Sequence, residues 1–212
     1  MVKIPDKRPV RFFNTTGPCR PWDHYMLPPA DRLVGAQLDR YIRDNLYWVL
    51  HAPRQTGKTT FLQEWAREIN AGGEAVACYV SIEACQGITD MAEAMKTIHK
   101  AVCAFAKRAE LPIPELPLNE SSMLIDSTMH KWAELVFPKP LIVLFDEADV
   151  LERESFKNIF SFDIKEDTGF FPNFTKLDIT ALFAQRTKET GQKITDEALD
   201  YIYEQSWGNH GL

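Results

Sequence analysis

LIVLFDEAD, residues 141–149, is apolar at five successive positions and acidic at three of the next four. A strand with one solvated face alternates; a run without alternation fits a strand covered on both faces. Two similar runs precede it, YWVLHA at 47–52 and EAVACYVSIEA at 74–84. Segments of helical spacing separate them. DRLVGAQLDRYIRDN (31–45) has Asp31 as a cap, and TTFLQEWAREINA (59–71) is ended by Gly72-Gly73. TDMAEAMKTIHKAVCAFAKRAE (89–110) starts at a Thr89 or Asp90 cap, and SSMLIDSTMHKWAELVF (121–137) follows a proline-rich loop at 111–118. This alternation predicts an α/β fold with a mostly parallel central sheet flanked by helices. Further on, NIFSFDI (158–164) reads as a strand. Residues 175–191 and 195–208 read as two amphipathic helices capped by Thr175 and by Thr195 or Asp196.

The chain has 212 residues, 45% hydrophobic and 25% charged, an ordinary globular composition. Its net charge of −6 argues against a broad grip on nucleic acid. The amino terminus carries no apolar run of signal length, and no stretch reaches the ~20 apolar residues of a membrane helix. A cytoplasmic location is expected. Cys19, Cys78, Cys85 and Cys103 are scattered without a C-x-x-C pair, so reduced thiols are expected.

The first strand leads into HAPRQTGKTT, residues 51–60. A bare Gly-Lys followed by Ser or Thr turns up by chance in roughly one chain in ten of this length. Its position after a strand and at the head of a helix makes it a phosphate loop: backbone N–H groups and the positive helix end face phosphate oxygens. The binding segment is Ala52, Pro53, Arg54, Gln55, Thr56, Gly57, Lys58, Thr59 and Thr60. Ala52 stands where the usual pattern has its first glycine, a change of one methyl at the exit from the strand. Lys58 is expected on the β- and γ-phosphates of ATP and the Thr59 hydroxyl on Mg²⁺. The acidic strand brings Asp146 and Glu147 to the carboxyl edge of a sheet, where open α/β folds bind ligands. Asp146 is expected to hold Mg²⁺, and Glu147 to orient or deprotonate the attacking water.

APRQTGKT and LIVLFDEAD together resemble the Walker A and Walker B motifs of AAA-like P-loop ATPases, in the group of prokaryotic ATP-binding and signal-transducing proteins. The leader RFFNTTGPCRPWDHYMLPPADRL is similar to an arm seen in one such group, and the two C-terminal helices to a small helical lid. The resemblance implies an arm at 1–30, an ATPase core at 31–170 and a shortened lid at 171–212. It implies a switch or motor that binds and hydrolyses Mg-ATP, with a protein partner or a second copy as the recipient. The family places a sensor strand between the loop strand and the acidic strand. VLERESFKNIFSFDIKED (150–167) is too short for the helix–strand–helix set that would supply it, which takes roughly 30 residues or more. With SFDI as the last strand, the sensor strand is missing, and its absence leaves a gap flanked by unpaired backbone. A module that holds nucleotide without turnover, or a protein-interaction module, is the alternative.

Some residues read more plainly as structure. His24 and Tyr25 are expected to pin the arm to the domain rather than to stack on adenine. Arg54 is a solvated loop arginine and Glu83 a strand-end carboxylate. Arg11 and Arg20 are candidates for charge-stabilising fingers in an oligomer, though nothing in the sequence selects them. Met95, Ile98, Val102 and Phe105 share one helix face and are expected in a core.

Overall fold

The computed structural model describes residues 10–32, 40, 42–44, 48–51, 56–117, 123–147, 150, 167–170 and 172–206. It is an α/β chain whose described strands all pair in parallel. Its contacts divide into two units, residues 1–61 with 165–212, and residues 62–164.

In the first unit, α1 (Pro29–Arg32) opens the predicted 31–45 helix, and residues 40, 42 and 43 are helical as well. Strand β1 (Trp48–His51) pairs with a strand at Asp167–Phe170, Trp48 opposite Asp167 and His51 opposite Phe170. The expected last strand, SFDI at 161–164, lies outside the described residues. The strand that pairs with β1 has the sequence DTGF. Its Asp and Gly are poor strand formers, and the β1 ladder overrides their propensity.

Two helices follow in this unit, Lys176–Thr190 and Asp196–Ser206. Thr175 caps the first in a reciprocal capping box with Asp178, and Gly191 ends it at φ +74°, a conformation L side chains resist. The Thr195 hydroxyl accepts from Ala198 N–H at the start of the second. The arm is ordered against this helix pair. Phe13 stacks between Tyr25 and Phe183, Gln185 donates to the Met26 carbonyl at 2.9 Å, and Arg11 pairs with Glu189 at 2.6 Å. Tyr25, Phe174, Ile179, Leu182 and Leu199 form the shared core.

In the second unit, β2 (Val76–Ser81) and β3 (Leu141–Asp146) run in register from Val76 opposite Leu141 to Ser81 opposite Asp146. A 3₁₀ turn at Glu83–Cys85 follows β2. Helix α3 (Met91–Arg108), capped by Asp90, packs on β2 and on α4 (Leu124–Val136). Ile98, Val102, Leu124 and Trp132 are buried at the centre of this core with Met95, and Phe105 packs against it. Leu62 and the residues after it belong to the helix Lys58–Gly72, here α2. Asn70 fastens that helix to β2 by a reciprocal pair of bonds with Ala77, at 2.9 and 2.8 Å.

The expected single central sheet is not what the described residues form. They make two separate two-stranded sheets, β1 with β4 (Asp167–Phe170) and β2 with β3. No described strand bridges them. The pair Lys176–Thr190 and Asp196–Ser206 is labelled α5 and α6 below.

Candidate functional site

Ala52, Pro53, Arg54 and Gln55 lie outside the described residues, so the phosphate loop is defined by its second half. Thr56 is fully buried at 1% exposure, and Gly57 has φ +88°. That backbone suits glycine and strains any L side chain. Lys58 then opens α2, a helix of 15 residues with no acidic residue in its first turn. A helix N-terminus without an acidic residue in its first turn favours an anion, since the first N–H groups lack intrahelical acceptors. Lys58, Thr59 and Thr60 are half-buried. The Thr60 hydroxyl accepts from the Cys19 N–H of the arm at 2.9 Å, so part of its capacity serves to dock the arm.

Arg32 holds the same loop from its other side. Its Nη2 donates to the Pro172 carbonyl at 2.7 Å and to the Thr56 carbonyl at 3.3 Å. Its guanidinium lies over the Phe174 ring, 3.6 Å from the centroid. Burial draws this guanidinium down to about 10, while nearby Asp178 works the other way, so it stays charged at neutral pH. This role was not legible in the sequence, because both partners are remote, 24 and 140 residues along the chain.

The acidic residues belong to the second unit. Asp146 ends β3 at 2% exposure. Tyr79 on β2 donates its hydroxyl to Asp146 Oδ2 at 3.0 Å, and the Glu147 N–H donates to Oδ1 at 3.1 Å. Burial raises the Tyr79 phenol well above its ordinary value, and the Asp146 charge raises it further. Tyr79 therefore stays a donor across the physiological range. These two bonds orient the Asp146 carboxylate, one on each oxygen. Tyr79 was legible only through register: with Ser81 opposite Asp146, two-residue periodicity puts Tyr79 on the same face, one diagonal step away. Glu147 adopts φ +59°, the left-handed region that non-glycine residues rarely occupy. Strain of this kind recurs at functional sites.

Among the described residues, no three His, Cys, Asp or Glu side chains form a metal cluster. Mg²⁺ held by one carboxylate, a hydroxyl and phosphate oxygens requires none. Taken unit by unit, the first offers a phosphate a glycine with positive φ and a lysine and a threonine opening a helix, and the second offers a cation a buried strand-end aspartate.

The second unit also contains a Cys–His pair. Thr128 gives its one proton to the Leu124 carbonyl at 2.5 Å, so it accepts from His99 Nδ1–H at 2.8 Å. His99 Nε2 then faces Cys103 Sγ at 3.6 Å as an acceptor. Burial raises the Cys103 thiol and lowers the His99 imidazole, so both are neutral at pH 7. An activated thiolate needs the opposite shifts, and this pair is structural. All four cysteines are unpaired thiols.

Tyr25 pins the arm to the helix pair through the core it shares with Phe174, Ile179, Leu182 and Leu199, as the sequence reading prefers, while His24 makes contacts within the arm itself. His24 Nδ1 accepts from the Arg20 N–H and its ring stands edge-on to Phe12. No described helix is long and apolar enough to cross a membrane. No protein-family model matches the chain, and no curated protein matches it at a significant level.

Proposed function

We propose that the chain is a P-loop module that binds Mg-ATP and hydrolyses it as an AAA-like switch or motor. The observation that carries this reading is Gly57 at φ +88°, set between a parallel strand and the Lys58-Thr59 start of a helix with no acid in its first turn. Those N–H groups and Lys58 bind the phosphates, and Thr59 supplies a hydroxyl to the metal. Asp146 is assigned to the metal and Glu147 to the attacking water from their motif. Their own unit supports the assignment with a buried, hydrogen-bonded carboxylate and a strained residue after it. Bound Mg²⁺ supplies charge neutralisation at the phosphates. A protein partner, or a second copy of the chain, receives the output.

The second reading, a module that holds nucleotide without turnover, is favoured by the strand pairing. Among the described residues, loop strand β1 and acidic strand β3 belong to different sheets, in keeping with the short segment 150–167. Calorimetric titration with Mg-ATP and a non-hydrolysable analogue, beside Lys58→Ala, tests binding. The lysine variant is expected to lose it; equal affinity would remove the site. Hydrolysis by the wild type no faster than by Glu147→Gln would select the second reading.

A further inference from the structure

We propose that Arg32 is a positioning residue of the phosphate loop: by holding the Thr56 carbonyl it turns the Gly57 N–H toward the bound phosphates, and it ties that peptide to the entry of the C-terminal helix pair. The inference rests on the nucleotide reading above.

The argument starts from the peptide unit. In a planar trans peptide the C=O and the next N–H point in opposite directions. Arg32 Nη2 draws the Thr56 carbonyl to one side, at 3.3 Å. The Gly57 N–H, in the same peptide, therefore points to the other side. A phosphate loop needs its N–H groups turned to the anion and its carbonyls turned away. Gly57 at φ +88° then carries the chain from that peptide into Lys58.

The same nitrogen donates to the Pro172 carbonyl at 2.7 Å, one proton for each acceptor. Phe174, under the guanidinium, sits one residue before the Thr175 cap of α5 and belongs to the arm–helix core. A shift of the Thr56 peptide thus works against a donor fixed to α5 by a second hydrogen bond and a stacked ring. Lysine has no planar group to stack while donating sideways, and glutamine is too short to span both carbonyls.

The test uses the full chain, titrated with Mg-ATP and, separately, with inorganic tripolyphosphate, in wild type, Arg32→Gln and Lys58→Ala. Loss of one oriented, charge-assisted contact is expected to weaken both ligands about tenfold in Arg32→Gln. The equal loss matters, because the effect is on phosphates and not on the base. Unchanged affinity in a folded Arg32→Gln chain overturns the inference, and so does a loss confined to Mg-ATP. The wild-type Gly57 amide resonance is followed in the same tripolyphosphate titration. It should move on binding, and an unmoved Gly57 amide overturns the inference whether or not the variant folds. No wild-type binding, with Lys58→Ala alike, sinks the nucleotide reading and this inference together. Binding lost in Lys58→Ala and kept in Arg32→Gln sinks this inference alone.

Discussion

Glu147 combines a strained backbone with the position expected for a water-activating carboxylate. Its φ of +59° costs on the order of 1 kcal/mol or more relative to glycine. Glu147→Gly is therefore expected to raise stability by about 1 kcal/mol, read as a higher denaturant midpoint at unchanged slope, while hydrolysis falls. Glu147→Gln keeps the strain and should show the loss of hydrolysis without the gain. A glycine variant less stable than wild type would mean that the side chain, not the backbone, holds this turn. Residue types at this scale were legible: Lys58, Thr59, Asp146 and Glu147 can be named from two short motifs. Their partners were not. Tyr79 needed the β2–β3 register, and Arg32 needed contacts that sequence spacing does not show.

The helices were the most legible elements. Thr175 and Asp90 serve as caps, and α2 ends at Gly72 with Gly73 turning at φ +75°. Each of these signals is local, a cap or a stop within one turn of the boundary. Strand β4 was not legible, because DTGF carries no apolar pattern and its place comes from pairing with β1. Two predictions belong to the helices. Thr175→Ala removes the hydroxyl half of the capping box, keeping the backbone N–H bond to Asp178, and should cost about 1 kcal/mol in chemical denaturation. His99, buried between α3 and α4, has its imidazole lowered from the ordinary 6.5 by burial, with Glu115 opposing. A depressed folded value means that protonation favours the unfolded chain. Its contribution is fully present above pH 6.5 and is lost as pH falls from there through the folded value. Stability measured across pH 5–8 should decline on the acid side through this window. The decline should shrink in His99→Gln, whose amide can still donate to Thr128.

At the scale of the whole molecule, an α/β class follows from apolar runs alternating with amphipathic helices, and the described strands are parallel as that alternation requires. The number of sheets did not follow. Periodicity marks which segments are strands but not which neighbour each one takes, and among the described residues two pairs stand where one sheet was expected. Anything that binds only the folded form of a chain adds to its stability by mass action. Mg-ATP is the ligand to test for that role. At 100 times its dissociation constant it should add about 2.7 kcal/mol to the stability of the folded state, seen as a rise in melting temperature that grows with the logarithm of ligand concentration. Lys58→Ala should abolish the rise, and Asp146→Asn should reduce it with Mg-ATP more than with ATP in chelator. A melting temperature indifferent to millimolar Mg-ATP would leave the strand–loop–helix as architecture without a ligand, and the protein-interaction reading would take its place.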